Sequence, residues 1–260
     1  MMGLDKMSTL LSIKDLSVTV GSKVLVDQVS FDVPEGKIVA IAGGSGSGKT
    51  TIGLSILRLL SPALIIKQGG IVFEGQDLLG LSIEEMRQRR GARIGMVFQE
   101  PLSAFDPLFT IGRQLDEVLA AHTPLTGQER YKKVLKTLSE VELPDPQRTY
   151  TSYPHQLSGG MRQRAMVAQA LVCSPSLIIA DEPTSSLDVT LQVKIMELFI
   201  GLSKKNISIL LIAHDLGMIS HVADEVIILR QGRMVEKGPV SQIIQQPRHE
   251  YTKELLEAFQ

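Results

Sequence analysis

The chain has 260 residues, and its 27 Lys and Arg against 28 Asp and Glu give a net charge of −1. This balance argues against a protein that binds nucleic acid through bulk positive charge. The only cysteine, Cys173, excludes an internal disulfide, a zinc ribbon and a Cys-ligated iron–sulfur cluster. The most apolar stretch, residues 54–66, is interrupted by Arg58 and Pro62. We therefore expect a soluble chain without a membrane-spanning helix or a secretory signal.

The first part of the chain alternates strand-like and helical patterns. Apolar and polar residues alternate on both sides of Gly21-Ser22, which predicts a β-hairpin. The apolar residues after the glycine-rich stretch 43–48 recur at helical spacing instead. In chain order we predict strands at Leu10–Val20, Val24–Val33 and Lys37–Ala42, a helix at Thr50–Leu60, a strand at Ile71–Phe73, a helix at Glu84–Arg90 and a strand at Ile94–Phe98.

The middle of the chain is predicted to be helical. Two proline-containing segments, Gln99–Pro107 and Thr149–Ser158, are interpreted as loops. Between and after them, helices are predicted at Ile111–Ala121, Gln128–Glu142 and Gly159–Val172. This pattern predicts a helical subdomain at about 99–172, inserted into a core formed by about 1–98 and 173–260.

The last part returns to strands that alternate with helices. That order is typical of an α/β fold with a mostly parallel core sheet. The hairpin at the N-terminus adds an antiparallel β-subdomain to this core. We predict a strand at Leu177–Ala180, a helix at Asp188–Leu202, strands at Ile207–Ile212, Val226–Leu229 and Arg233–Glu236, and helices at Val240–Gln245 and His249–Phe259.

The strongest local motif is the stretch Gly43–Thr50, which reads GGSGSGKT and fits the P-loop pattern GxxxxGK[ST]. Its glycines let the backbone wrap a phosphate chain, and the following helix adds its positive N-terminal dipole. Lys49 is expected to neutralise phosphate charge, and the Thr50 hydroxyl is expected to bind Mg²⁺. A glycine-rich turn with an incidental lysine is disfavoured, because a buried strand precedes the loop and a helix follows it.

A second motif is the apolar run Leu177–Ala180 followed by Asp181 and Glu182. Ligands of open α/β sheets bind at the carboxyl ends of the strands. Asp181 is therefore expected to hold Mg²⁺, and Glu182 is expected to polarise the attacking water as a general base. The alternative is that Asp181 and Glu182 are merely solvated acids at the end of a strand. The P-loop in the same chain makes this alternative less favoured.

A third motif, Leu157–Arg164, reads LSGGMRQR and precedes a predicted helix. Ser158 can cap this helix, and Gly159 and Gly160 allow a phosphate to approach closely. The chain thus contains a second helix start suited to phosphate, which an ordinary helix cap does not require.

Taken together, these motifs resemble the ATP-binding cassette (ABC) family over almost the whole chain, from Leu10 to Gln260. Leu157–Gln163 is similar to the signature motif of that family. Gln99 resembles its Q-loop glutamine, Ser185–Asp188 its D-loop and His214 its switch histidine. The order of all these elements along the chain matches the family.

The resemblance implies that two cassettes stack head to tail with ATP and Mg²⁺ between them. Lys49, Gln99, Glu182 and His214 are the implied catalytic residues, with Thr50, Gln99 and Asp181 around Mg²⁺. Ser186 and Asp188 of the D-loop are implied at the dimer contact. The implied ATP-binding residues are Gly43, Gly44, Ser45, Gly46, Ser47, Gly48, Lys49, Thr50, Thr51, Ser158, Gly159 and Gly160.

Two positions depart from the family pattern. Val20 stands where an aromatic residue often stacks on adenine, so stacking is expected to be weaker here. Ser186 stands where the D-loop often has Ala, a small change that should leave the motif working.

The resemblance extends to the peptide and nickel importers of the family. The residues Gly43-Gly44-Ser45 favour the nickel type within that group, with di- or oligopeptide uptake close behind. The implied partners are two permease subunits, a second ATPase (a homologue or a second copy) and, indirectly, an extracytoplasmic solute-binding protein. No nucleic acid is implied, and the implied location is peripheral, on the cytoplasmic face of the cell membrane. The stretches similar to the group are Phe98–Pro107, Thr110–Gly112, Tyr153–Met161 and His249–Leu256.

Three other functions compete with this interpretation. A soluble ABC ATPase outside transport usually has two cassettes or a coiled-coil insert, and this chain shows one cassette and no heptad run. A P-loop kinase does not explain the second phosphate-binding helix start or His214. A non-hydrolysing scaffold is disfavoured by the intact Lys49, Asp181 and Glu182. The residues 99–107 and 150–155 are the predicted contact with the permease, although their aromatic side chains could equally pack within the helical subdomain.

Overall fold

The computed structural model describes residues 8–185 and 187–257. They divide into two compact units. The first unit contains the chain up to Met86 and from Leu202 onward, and the second unit contains Arg87–Gly201. Within the described ranges no helix is both long and apolar enough to cross a bilayer.

The secondary structure of the described residues alternates as the sequence predicts. The strands are β1 (Thr9–Val20), β2 (Lys23–Pro34), β3 (Ile38–Ala42), β4 (Leu64–Phe73), β5 (Gln76–Asp77), β6 (Ile94–Val97), β7 (Leu177–Asp181), β8 (Ser208–Ile212), β9 (Glu225–Arg230) and β10 (Arg233–Pro239). The α-helices are α1 (Lys49–Ile56), α2 (Ile83–Arg89), α3 (Pro101–Ala104), α4 (Ile111–His122), α5 (Gly127–Glu140), α6 (Pro146–Thr151), α7 (Gly159–Leu171), α8 (Val189–Ser203), α9 (Leu216–Val222), α10 (Val240–Gln245) and α11 (Glu250–Glu257).

The first unit holds an antiparallel sheet with the strand order β2-β1-β4-β5. Ile13 of β1 pairs with Phe31 on one side and with Ile71 on the other, and all three side chains are buried. This sheet confirms the predicted antiparallel β-subdomain. β4 is longer than predicted and starts at Leu64.

Helix α1 ends at Ile56, four residues before the predicted end. Arg58 adopts a left-handed backbone with φ of 51°, which the next turn of an α-helix cannot accommodate. Its guanidinium donates to the carbonyl oxygens of Leu78 and Leu81. Those bonds favour the turn that terminates the helix.

The first unit also holds the strand order β10-β9-β3-β8, in which β3 runs parallel to both β8 and β9. Every residue of β3 and β8 is buried, as is typical of parallel strands covered on both faces. Since parallel strands end at the same edge, the segments after β3 and β8 lie at one edge of this unit.

The second unit combines the parallel pair β6 and β7 with helices. Every regular element described between Pro101 and Leu171 is helical. The parallel pairs in both units confirm the predicted α/β fold with a parallel core. The subdomain boundaries at 99 and 172 stay a prediction.

Both segments interpreted as proline-containing loops include helical turns, so that interpretation is wrong in part. Pro101 and Pro146 each occupy the first turn of a short helix, α3 and α6. Proline suits this position because the first amides of a helix lack an intrahelical partner anyway. Asp145 caps α6 by accepting from the Arg148 amide at 2.9 Å, and residues 154–156 add a 3₁₀ turn.

The carboxylate of Glu236 on β10 binds the C-terminal helix α11 and the residues before it through hydrogen bonds. Glu236 accepts hydrogen bonds from the backbone amides of Arg248 and His249, at 2.9 and 3.1 Å, and from the buried Thr252 hydroxyl. Burial alone raises the pKa of Glu236, but the hydrogen bonds from Thr252, Arg248 and His249 outweigh it and lower the pKa overall. The ionised carboxylate therefore stabilises this end of the chain.

We expect Glu236→Gln to lower the free energy of unfolding by about 1–3 kcal/mol at pH 7, because a charged acceptor of three hydrogen bonds is lost. The folded-state pKa lies below the ordinary value of 4.5. The contribution is therefore present above that value and is lost as the pH falls through the folded-state pKa. Denaturant unfolding at several pH values measures the difference between the two proteins.

Glu254→Gln is the matched control, since Glu254 is exposed on the same helix. We expect it to unfold like the wild-type protein at each pH. If the loss of unfolding free energy in Glu236→Gln stayed constant below pH 4, that result would contradict the role assigned to the ionised carboxylate.

Candidate functional site

The glycine-rich loop connects the buried strand β3 to α1 and depends on glycine at its two ends. Gly43 has φ of 153°, and a Cβ there would lie 2.2 Å from the carbonyl oxygen of Leu229. Gly48 precedes α1 with φ of 101°, and a Cβ there would lie 2.7 Å from the carbonyl oxygen of Leu25. Larger residues therefore cannot take these positions without moving backbone.

The loop is also tied to the hairpin between β9 and β10. The Gly232 amide donates to the Ser47 carbonyl oxygen at 3.0 Å, and the Ser47 amide donates to the Gly44 carbonyl oxygen at 3.3 Å. Among the residues that the structure describes, the buried Ser47 hydroxyl has no hydrogen-bond partner. A buried polar atom of this kind is costly unless a ligand or water satisfies it, which fits a loop that binds a polar group.

Lys49 lies under the loop and is only 6% exposed. Its ammonium donates to the carbonyl oxygens of Gly43 and Gly44, at 2.8 and 3.0 Å. The positive charge is thereby held against the loop. Thr50 is exposed beside it in the first turn of α1, and Thr51 follows half-buried. The structure places a cation, a hydroxyl and the first amides of a helix together, which suits a phosphate chain.

Sequence reasoning missed one residue at this loop. The Gly44 amide donates to the hydroxyl of Tyr251 on α11 at 2.9 Å. Only the similarity of His249–Leu256 to the importer group marked this segment, and no local pattern predicts the contact. The two residues are 207 positions apart.

His214 and Val20 belong to the same unit as the loop. His214 is exposed and lies two residues after Ile212, the last residue of β8. The next residue, Asp215, caps α9 by accepting from the Met218 amide at 3.1 Å. Val20 is half-buried and pairs with Lys23 across the hairpin turn. Its side chain offers no aromatic ring at this position.

The second unit brings Gln99 and Glu182 together. Asp181 ends β7 and is buried, and Glu182 follows with a left-handed φ of 45°. A non-glycine residue in this conformation is strained, and such strain is concentrated at functional sites. The Gln99 amide nitrogen donates to a carboxylate oxygen of Glu182 at 3.0 Å across 83 positions of sequence. The bond fixes the carboxylate at the carboxyl end of the strand.

The LSGG segment of the second unit starts α7. The Ser158 hydroxyl caps the helix by accepting from the Met161 amide at 3.3 Å. Gly159 has open space around it, whereas a Cβ at Gly160 would lie 2.9 Å from a methyl carbon of Leu191. Gly160 thus lets α7 pack against α8, and the exposed Ser158 and Gly159 are accessible from outside.

Of Ser186 and Asp188, the two D-loop residues implied at the dimer contact, the structure describes only Asp188. Asp188 is exposed and caps α8 by accepting from the Leu191 amide at 3.0 Å. Ser186 lies outside the described residues.

The aromatic residues of the predicted permease contact take different positions. Phe105 is 4% exposed and packs inside its unit, and Tyr150 packs edge-on against Tyr131 with ring centroids 4.9 Å apart. Tyr153 is exposed and stacks on His155 at 5.6 Å. Leu108, next to the predicted segment, is 78% exposed. Only part of the predicted contact is therefore available to a partner.

The donors expected around a metal ion are all oxygens: the Thr50 hydroxyl in the first unit, and the Gln99 amide and Asp181 carboxylate in the second. Oxygen donors are the ligands Mg²⁺ prefers, and Mg²⁺ commonly binds one or two carboxylates together with substrate phosphates. Within the described parts of the chain, no three His, Cys, Asp or Glu side chains lie close enough to hold a metal by themselves. The oxygen donors in each unit are of the kind that suits an Mg²⁺ ion arriving with a nucleotide.

Comparisons with known proteins identify the family of the chain. Residues 26–185 match the model of the ABC transporter family. The chain is 45% identical to the dipeptide transport ATP-binding protein of Bacillus subtilis (96% of this chain, 76% of that protein). It is 42% identical to the oligopeptide transport ATP-binding protein of the same organism (96% and 72%). A peptidoglycan transport ATP-binding protein of Agrobacterium fabrum is 46% identical over 96% of this chain, which spans only 47% of that longer protein.

Solved structures share the fold. An ATP-binding cassette solved as a dimer in a post-hydrolysis state with ADP and Pi superposes with a TM-score of 0.78 and 29% identity, over 88% of this chain and 98% of that chain. The chain belongs to the ABC transporter family and is an ATP-hydrolysing cassette that binds ATP with Mg²⁺.

Proposed function

We propose that this chain is the ATPase subunit of an importer for di- or oligopeptides. It acts on the cytoplasmic face of the membrane, where two separate permease subunits receive its motion. The observation that carries the proposal is the identity of 42–45% to dipeptide and oligopeptide transport ATP-binding proteins, over 96% of the chain.

Within the ATPase reaction, the loop residues 43–50 and Thr51 bind the phosphates. Lys49 exchanges its loop carbonyls for phosphate oxygens. Thr50, Gln99 and Asp181 would hold Mg²⁺, which would supply positive charge to neutralise the phosphates. Glu182 acts as general base on the attacking water, and the hydrogen bond from Gln99 sets the orientation of its carboxylate. His214 contacts the terminal phosphate. The chemistry is mainly positioning and charge stabilisation.

The LSGG segment acts on a different nucleotide from the P-loop of the same chain. Ser158, Gly159 and Gly160 bind ATP held by a second cassette, which we propose to be a copy of this chain; a homologous ATPase is the alternative. Ser186 and Asp188 contribute to the surface between the two cassettes. ATP then bridges the subunits, and hydrolysis removes the bridge and lets them separate.

The permease contact uses the exposed part of residues 99–107 and 150–155 together with Leu108. Tyr153, His155 and Leu108 present apolar and aromatic surface there. Phe105 and Tyr150 support this surface from within the unit. An extracytoplasmic solute-binding protein delivers the cargo to the permease and does not contact this chain.

Nickel or a metal chelate is the competing cargo, favoured by Gly44 in the phosphate-binding loop. The structure places Gly44 against Tyr251, where a Cβ would lie 3.1 Å from the hydroxyl. The contact gives position 44 a local packing role that is independent of cargo. Glycine at this position is therefore a weaker argument for nickel as the cargo.

Uptake measurements in the organism that encodes the chain separate the two cargoes. A deletion strain should lose uptake of a labelled dipeptide or oligopeptide and keep uptake of labelled Ni²⁺. The wild-type gene should restore peptide uptake, and Glu182→Gln should not. Loss of Ni²⁺ uptake with unchanged peptide uptake would overturn the peptide proposal.

A further inference from the structure

The C-terminal helix reaches the phosphate-binding loop through one side chain. The Tyr251 hydroxyl accepts a hydrogen bond from the Gly44 amide at 2.9 Å. Tyr251 lies outside every motif to which sequence assigned an ATP-binding role. Its contact nevertheless falls within the loop that binds phosphate.

The contact involves the same peptide group that binds the ammonium of Lys49. The peptide between Gly43 and Gly44 presents its carbonyl oxygen to the Lys49 ammonium at 2.8 Å. Its N–H, which points in the opposite direction within the plane of the trans peptide, donates to the Tyr251 hydroxyl. Lys49 and Tyr251 thus hold the two ends of one peptide group.

A peptide group between two glycines needs such a restraint. Without Cβ atoms, the residues on both sides rotate more freely than any others, and ordering them is costly in conformational entropy. If the Gly43–Gly44 peptide rotates, the carbonyl oxygen leaves Lys49 and the adjoining amides turn with it. A fixed acceptor for the Gly44 amide opposes this rotation.

Tyr251 is itself fixed from several sides. The guanidinium of Arg230 lies over its ring, 4.7 Å from the centroid, and its own amide donates to Nδ1 of His249 at 3.1 Å. Glu236 binds the amides of Arg248 and His249 and the hydroxyl of Thr252, the residues around Tyr251. The hydroxyl therefore occupies a defined position with little freedom to move.

We propose that Tyr251 is a positioning residue for ATP binding, which fixes the Gly43–Gly44 peptide so that Lys49 and the loop amides keep their phosphate-binding arrangement. Tyr251 does not contact the reacting atoms. Its loss therefore affects the binding of nucleotide and not the chemical step.

Tyr251→Phe tests this role, because phenylalanine keeps the ring beneath Arg230 and removes only the hydroxyl. We expect KM for ATP to rise about fivefold, as loss of one hydrogen bond predicts, with kcat within about twofold of wild type. In a Glu182→Gln background that blocks hydrolysis, calorimetry should show Kd for ATP with Mg²⁺ rising by a similar factor.

Tyr131→Phe is the matched control. Tyr131 is an exposed tyrosine on α5 whose ring packs on Tyr150, and its substitution should change neither KM nor Kd. Thermal unfolding of both variants checks that they fold. If KM and Kd were unchanged in Tyr251→Phe, with or without a lower midpoint of unfolding, the proposal would be overturned, and the contact would serve only the stability of the fold. A fall in kcat alone would also overturn the proposal.

Discussion

Glu182→Gln is expected to lower ATP turnover by about 100-fold or more and to leave ATP binding nearly unchanged. The substitution removes a carboxylate that can accept a proton from water. It keeps an oxygen that can accept the 3.0 Å hydrogen bond from Gln99, so the side chain stays in place. Phosphate release measures turnover, and calorimetric titration with ATP and Mg²⁺ measures binding.

Glu140→Gln is the control for this substitution. Glu140 is a partly exposed residue of α5, and its carboxylate lies 3.9 Å from the ammonium of Lys136. Its substitution should change neither turnover nor ATP binding. A Glu182→Gln protein that keeps more than about a tenth of the wild-type turnover would rule out Glu182 as the general base.

Lys49→Ala is expected to weaken ATP binding by about 100-fold, because charge-assisted bonds to phosphate contribute about 1.5–3 kcal/mol each. The substitution also leaves the carbonyl oxygens of Gly43 and Gly44 without the ammonium that they share. We therefore expect the free protein to lose about 1–3 kcal/mol of stability as well. Calorimetric titration and denaturant unfolding measure the two effects separately.

Lys205→Ala serves as the matched control, since Lys205 is exposed in the turn between α8 and β8. It should bind ATP and unfold like the wild-type protein. A Lys49→Ala protein that binds ATP with wild-type affinity would show that the buried ammonium remains on the loop carbonyls when nucleotide binds.

The parallel core and the helix starts could be predicted because their signals are local. The apolar runs at β3 and β7 indicate buried strands by composition alone, and Ser158 and the glycines beside it mark the start of α7. The position of the functional loops then follows from topology, because ligands bind at the carboxyl ends of parallel strands.

The remaining features depend on signals that are ambiguous or distant. Pro101 and Pro146 indicate a loop as readily as a helix start, and only the surrounding geometry decides between them. The end of α1 depends on Arg58, whose partners Leu78 and Leu81 lie 20 and 23 residues later. The contact of Tyr251 with Gly44 spans most of the chain.

Light scattering of the purified Glu182→Gln protein, with and without ATP and Mg²⁺, measures directly whether ATP pairs two copies of the chain. We expect a monomer of 28.4 kDa without nucleotide and twice that mass with ATP, because each ATP bridges the P-loop of one copy and the LSGG segment of the other. A protein that binds ATP and stays at the monomer mass would contradict this pairing and assign the facing site to a different ATPase chain.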